Sequence, residues 1–206
     1  MLKKEYEILY EFAKSPWKKF TEREIKQATK KKSESYVYNT LKKFSKNGIL
    51  TEQKAGNVTL YSLNVNSSKA CAYAGFCSEY TGWDKKHIPY LDLEKITAKT
   101  SAGFSIFIVT GSYAKGTEKK DSDIDIVLIT EDCIDTKKIY ADLRYMCEMN
   151  IPQIHLSVFR KSEFIGMLLD KKPNYGKEIA KNNLLLFGGE NYYRIIGEAI
   201  KNGFNG

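Results

Sequence analysis

Several features that mark particular classes of protein are absent from this sequence. No stretch approaches the ~18 consecutive apolar residues of a membrane-spanning helix, and the charged start Met1–Glu5 lacks the apolar core of a signal peptide. Only two histidines accompany the four cysteines, and no two cysteines have the spacing of a zinc-binding pair. We therefore expect a cytoplasmic protein with no membrane contact and no zinc site, whose thiols are small buried core groups.

Acidic residues are scarce at the start of the chain, so that positive charge is concentrated there. The formal net charge is +8, and residues 1–66 hold 14 basic and 7 acidic side chains, which gives +7. Residues 67–206 hold 19 basic and 18 acidic side chains, whereas residues 101–150 alone hold 6 basic and 9 acidic ones. These differences indicate a molecule of two parts, one suited to a polyanion and the other to a cation.

Three helices followed by a hairpin are predicted in residues 1–66. The first helix is expected over Leu2–Lys14, the second begins at Thr21, which has capping-box spacing to Glu24, and the third begins after Ser33. Two strand-like runs, Ile49–Lys54 and Val58–Leu63, then surround a turn. This order predicts a winged helix-turn-helix domain and resembles the DNA-binding domains of archaeal and bacterial regulators.

The third helix carries a polar stripe opposite its apolar face. The stripe residues recur at i, i+4, i+7 and i+11, and are Ser35, Asn39, Lys42 and Lys46. Lys43 on the same helix and Lys54 beside the hairpin turn complete the predicted DNA-binding set. A major groove accepts such a helix face, so double-stranded DNA is the expected partner. The alternative is that these lysines only solvate a small domain.

The remaining chain divides into a connector and a second domain. Residues 67–90 form the connector, in which Ser67–Trp83 shows no clear periodicity and receives no assignment. The second domain is expected over residues 91–206, beginning with a helix at Leu91–Ser101.

One motif in the second domain has the pattern of a phosphate and metal site. A buried strand, Phe104–Val109, leads to Gly111-Ser112; after ten further residues Asp123 and Asp125 occupy positions i and i+2 of a second strand. Their carboxylates therefore point to the same side, and magnesium prefers such oxygen ligands together with substrate phosphates. Glycine permits close approach of a phosphate to the backbone, and Ser112 adds a hydroxyl at what is expected to be a helix N-terminus.

A phosphate-binding P-loop is excluded as the explanation of the glycine spacing. Gly111 and Gly116 have the required separation, but Thr117 follows directly where that motif requires lysine. We assign Lys115 to the nucleotide together with the Gly-Ser turn.

At these residues the chain resembles the minimal nucleotidyltransferases of the polymerase-beta superfamily, whose hallmark is this Gly-Ser, ten-residue, Asp-x-Asp element. The resemblance covers roughly residues 104–190. It implies that Gly111 and Ser112 hold a nucleoside triphosphate, that Asp123 and Asp125 bind magnesium or manganese, and that a nucleoside monophosphate is transferred with loss of pyrophosphate. It also implies an α+β fold, with a small mixed sheet and flanking helices, after the winged helix. Fused proteins of this kind are found mainly in archaea.

The sequence departs from that family at the third acid. Active members generally supply another carboxylate from the neighbouring strand, which here is Pro152–Phe159 and contains no acid. His155 stands near the expected position, where an imidazole can accept a proton or bind metal, and we include it among the catalytic candidates. The alternative is a purely structural histidine.

Two functions of different classes follow. The first is a metal-dependent nucleotidyltransferase coupled to a DNA-binding domain, with a protein tyrosine, a nucleic-acid end or a small molecule as acceptor. The second is a transcriptional regulator whose acid-poor site binds nucleotide without turnover. A third, weaker option is modification or neutralisation of a toxin-like partner. The acceptor, the nucleobase, the operator and the oligomeric state, including a homodimer, stay open.

Overall fold

The computed structural model describes residues 4–99 and 103–206. In these residues it contains ten helices and seven strands in two small sheets, which confirms the α+β prediction. The helices are α1 (Glu5–Lys14), α2 (Glu22–Thr29), α3 (Glu34–Lys46), α4 (Ser68–Trp83), α5 (Tyr90–Lys99), α6 (Gly111–Lys115), α7 (Thr136–Met149), α8 (Lys161–Leu169), α9 (Tyr175–Lys181) and α10 (Gly189–Lys201). The strands are β1 (Phe20–Thr21), β2 (Leu50–Ala55), β3 (Val58–Leu63), β4 (Ile106–Thr110), β5 (Ile124–Thr130), β6 (Ile154–Arg160) and β7 (Leu184–Phe187).

Some predicted helix ends cannot be compared with the structure. Leu2 at the start of the first predicted helix, and residues 100–101 at the end of the predicted Leu91–Ser101 helix, lie outside the described residues. None of the helices within residues 4–99 and 103–206 combines the length and apolarity that crossing a bilayer requires.

Internal contacts divide the chain into two compact units. The first unit contains the chain up to Ser78 together with Gly189–Gly206, and the second is Glu79–Gly188. This division differs from the domain boundaries that the sequence indicates. The helix α10 belongs to the first unit, and the connector of residues 67–90 is divided equally between the two units. Within the first unit, α4 and α10 approach so closely that a Cβ atom on Gly75 would lie 2.4 Å from the backbone nitrogen of Glu190.

The first unit contains α1 to α3 and an antiparallel sheet with strand order β1-β3-β2. The predicted capping box is confirmed: the Thr21 backbone N–H donates to Glu24 Oε2 at 2.7 Å, and the Glu24 N–H donates to Thr21 Oγ1 at 3.2 Å. Ser33 Oγ likewise accepts from the Tyr36 N–H at the start of α3. The short strand β1 pairs with β3 and was not predicted, because two residues carry too little periodicity to be recognised.

The part of the connector that received no assignment forms the helix α4, which buries small residues and exposes some of its large apolar ones. Its buried residues are all small, and they include Ala70, Cys71, Ala74 and Cys77 at i, i+1, i+4 and i+7. Tyr73 and Phe76 are instead about half exposed, at 49% and 55%. A search for large apolar residues on one face therefore misses this helix, since its core face consists of small side chains.

A buried hydroxyl network joins three helices of the first unit. The fully enclosed Tyr193 hydroxyl lies 2.7 Å from Ser78 Oγ and donates to the Ala13 carbonyl at 2.9 Å. We expect Tyr193→Phe to lower the free energy of unfolding by about 1–3 kcal/mol, because it leaves buried polar groups without their partner. Urea unfolding measures this loss, with Tyr73→Phe as the exposed control. Equal unfolding midpoints for both variants would contradict the expectation.

The second unit contains a four-stranded sheet with the order β6-β5-β4-β7. Strands β5 and β6 run parallel, whereas β4 is antiparallel to both β5 and β7, so the sheet is mixed. The predicted helix around Ile139 and Leu143 is α7, and both side chains enter the core beside the sheet. Burial of three cysteines is confirmed, but Cys133 is exposed because it lies in the loop after β5.

Candidate active site

Three neighbouring strands place a row of side chains at one end of the mixed sheet. Thr110 on β4 pairs with Asp125 on β5, and Asp125 pairs with His155 on β6. Paired residues on adjacent strands project to the same face of a sheet. Asp123 immediately precedes β5, and its carboxylate approaches the same histidine. The fold thus brings together acids and an imidazole that are separated by about thirty residues along the chain.

The Gly-Ser turn lies directly against one of the two aspartates. A Cβ atom placed on Gly111 would lie 2.0 Å from Asp125 Oδ2, and Gly111 has a φ of +65°, a conformation that favours glycine. Here the chain leaves β4 and enters α6, in which Ser112 is half-buried. The structure therefore brings the predicted phosphate-binding turn into contact with a predicted metal ligand.

His155 lies between the two aspartates. Its Nε2 atom is 3.4 Å from Asp123 Oδ2, and its Nδ1 atom is 3.5 Å from Asp125 Oδ1. Exposed fractions of 55% for His155, 42% for Asp123 and 35% for Asp125 leave all three accessible to a ligand. Each ring nitrogen therefore faces a different carboxylate, so that the imidazole bridges the two acids.

The acids nearest to β6 in the sequence are used elsewhere. Glu148 forms an ion pair with Arg144 at 2.6 Å, and Glu163 accepts from the Arg160 backbone N–H at 2.8 Å at the start of α8. Throughout the part of the chain that the structure describes, no three His, Cys, Asp or Glu side chains are arranged to hold a metal ion. The protein itself supplies two carboxylates at this position.

Tyr175 is a site residue that the sequence analysis missed. It is the first residue of α9. Burial raises the pKa of its hydroxyl, and the nearby charge of Asp125 raises the pKa further, whereas a hydrogen bond with Ser157 lowers it. Its ring centroid is 6.1 Å from that of Phe159 on β6. Ser157 shares a strand face with His155 and was recognisable by alternation. Tyr175 had no such signal, since only packing brings α9 to this strand.

Lys115 is paired with α9. Its Nζ atom lies 2.7 Å from Glu178 Oε1, which also accepts from Asn182 Nδ2 at 3.0 Å. The hydrogen bond from Lys115 holds the pKa of Glu178 below its usual value. Both side chains of the ion pair are about half exposed, so the pair is worth only about 0–1 kcal/mol and is easily exchanged for another anion.

The predicted DNA-binding residues differ in their availability. Ser35, Asn39 and Lys46 on α3 and Lys54 on β2 are exposed. In contrast, Lys42 lies 2.7 Å from Glu52, and that hydrogen bond raises the lysine pKa. Lys43 lies 2.8 Å from Glu5. Two of the four predicted lysines therefore already have a carboxylate partner.

Comparison with known proteins addresses the second unit. Residues 105–183 match the nucleotidyltransferase domain family, which confirms the predicted similarity for this segment. A solved structure described as "Crystal structure of the toxin-antitoxin with AMP-PNP" is similar over 56% of this chain and 88% of its own, with 13% identity and a TM-score of 0.37. No curated protein sequence matches the chain. The family match includes β4 to β6 and α9, which carry the candidate site.

Proposed function

We propose that the second unit is a metal-dependent nucleotidyltransferase, which moves a nucleoside monophosphate from a nucleoside triphosphate to an acceptor hydroxyl. The observation that carries this proposal is the contact between Gly111 and the carboxylate of Asp125. Phosphate transfer requires a phosphate-binding turn and metal-binding acids within one site, and this contact joins the two. The family match over residues 105–183 supports the same reaction class.

The triphosphate binds at the turn after β4. Glycine at position 111 lets a phosphate approach the backbone, and the Ser112 hydroxyl adds a donor. Lys115 is the nearest cation in the sequence, and exchange of its Glu178 partner for a phosphate oxygen costs little because both groups are half exposed.

The donor set fits magnesium or manganese. Asp123 and Asp125 present two accessible carboxylates on one face, and magnesium typically takes one or two protein carboxylates and completes its shell with waters and substrate phosphates. When bound, such an ion supplies Lewis-acid stabilisation of the charge that develops on the phosphates. The two aspartates hold it, because a hard cation prefers carboxylate oxygen to the nitrogen of an imidazole.

The acceptor hydroxyl enters from the β6 side. In an in-line displacement the entering and leaving groups lie on opposite sides of the reacting phosphorus. Pyrophosphate leaves toward Gly111 at the end of β4, and β6 lies on the other side of β5. His155, Ser157 and Tyr175 therefore face the acceptor. The Tyr175 hydroxyl, whose pKa burial raises above its ordinary value, donates a hydrogen bond, while an imidazole nitrogen of His155 accepts the acceptor's proton.

A second candidate function is a regulator that binds nucleotide without turnover. The observation that favours it is the absence of an acid on β6, together with the imidazole that occupies the space between the two carboxylates. Such a protein would bind a nucleoside triphosphate at the same turn and release no pyrophosphate.

Replacing His155 with aspartate distinguishes these two functions. The carboxylate of the variant can also accept the acceptor's proton, so we expect it to keep magnesium-dependent transfer, whereas His155→Asn lowers transfer at least about a hundredfold, the scale of a catalytic base. The measurement is pyrophosphate release from labelled ATP with tyrosine, oligonucleotide-end and small-molecule hydroxyl acceptors. His155→Asn is the matched control, because it removes the imidazole without adding charge. Binding of ATP without release by either the native chain or His155→Asp would favour the regulator.

We further propose that the first 66 residues form a winged helix that binds double-stranded DNA. Support comes from the net charge of +7, from three helices followed by the β2–β3 hairpin, and from the exposure of Ser35, Asn39 and Lys46 along α3. Binding of this kind weakens as salt rises, because phosphate contacts release counterions.

A further inference from the structure

The first unit contains a hollow with a volume of about 360 Å³. The start of α2, the middle of α3 and the β2–β3 hairpin line it, so its walls come from the elements assigned above to DNA binding. Its charged and aromatic lining residues are Glu22, Arg23, Tyr38, Lys42 and Tyr61. No member of this set except Lys42 belongs to the DNA-binding residues that the sequence predicts.

The two cations of the hollow are in different states. Lys42 Nζ lies 2.7 Å from Glu52 Oε2 and sits over two aromatic rings, 5.8 Å from the Tyr38 centroid and 5.9 Å from the Tyr61 centroid. Arg23 is exposed and forms no ion pair with any residue in the described part of the chain. An anion that enters the hollow can therefore pair with Arg23 directly, whereas it can pair with Lys42 only by displacing Glu52.

The hollow also offers apolar contact surface beside these cations. Tyr38 is 46% exposed and Val58, at the start of β3, is 47% exposed. A guanidinium that binds phosphate in a forked arrangement, next to an exposed aromatic ring, matches the alternation of phosphate and sugar along a nucleic-acid strand.

We propose that this hollow holds a sugar–phosphate segment of duplex DNA, with Arg23 on a phosphate, Tyr38 against the adjoining sugar, and Glu52 as a competitor of the phosphate for Lys42. This inference rests on the proposed DNA-binding function and names the face that carries it.

Labelled duplex titrated into the full chain over a series of salt concentrations tests the proposal through fluorescence anisotropy. Arg23→Ala is expected to weaken binding about tenfold and to lower the salt slope by about one, as the loss of one phosphate contact requires. Glu52→Gln is expected to tighten binding at least about threefold, because it releases Lys42 without changing the side-chain shape. Lys69→Ala removes an equal charge from an exposed position in the same unit outside the hollow, and leaves the affinity within about twofold.

The outcomes separate this inference from the function on which it rests. If the native chain binds no duplex at low salt, DNA binding itself is wrong. If the native chain binds but Arg23→Ala behaves like Lys69→Ala and Glu52→Gln gains nothing, the hollow is not the contact face and DNA binding stands.

Discussion

Replacing Asp125 with asparagine is expected to reduce nucleotide transfer by at least about a thousandfold, which corresponds to about 4 kcal/mol of transition-state stabilisation. The amide keeps the size of the side chain but removes the charge that would hold a metal ion. Asp125 is the acid in contact with both Gly111 and His155, so its loss weakens the site at its centre. Pyrophosphate release from labelled ATP, with magnesium and the offered hydroxyl acceptors, measures the effect.

The matched control is Asp142→Asn. Asp142 lies exposed on α7 in the same unit, outside the candidate site, and the same change of charge there is expected to leave transfer unaltered. Retention of more than about a tenth of native activity by Asp125→Asn would be incompatible with a metal-binding role, since loss of a charged ligand costs several kcal/mol.

Gly111→Ala is expected to weaken binding of ATP in the presence of manganese by about a hundredfold, while the free energy of unfolding falls by only about 1–2 kcal/mol. The added methyl group would lie 2.0 Å from Asp125 Oδ2 and 3.0 Å from Asp125 Cγ. These atoms belong to the end of a short side chain, which rotates away more readily than backbone. Relief of the clash therefore displaces the carboxylate from the site, so that ATP affinity falls more than stability does. Isothermal titration calorimetry and urea unfolding measure the two quantities.

Gly116→Ala isolates the backbone contribution to that result. Gly116 has a φ of +66°, almost identical to that of Gly111, but a Cβ atom there would meet nothing within 4 Å. The control variant thus carries the same conformational strain without the clash, and should lose stability while it keeps most nucleotide affinity. An equal loss of affinity in both variants would show that backbone strain causes the effect and that the contact between Gly111 and Asp125 does not.

Local signals in the sequence were sufficient for much of the second unit. The alternation around Asp123 and Asp125 predicted a strand with both acids on one face. Strand β5 begins at Ile124 and includes Asp125, whereas Asp123 immediately precedes it, and both carboxylates approach His155. The Gly-Ser turn was expected to follow a buried strand, and all five residues of β4 are buried. Such features depend on residues within a few positions of each other, because strand alternation, helix caps and left-handed turns are short-range effects.

The sequence by itself therefore determined the helices and hairpin of residues 1–66, the acidic pair and the glycine turn after a buried strand, but neither β1 nor α4. Only the tertiary structure decided that His155 bridges the two acids, that Tyr175 reaches the same site from α9, and that Glu52 neutralises Lys42. It also placed α10 with the first unit, through the small-residue contact at Gly75. These outcomes depend on strand pairing and on side-chain packing between residues far apart in the chain, which no short window of sequence encodes.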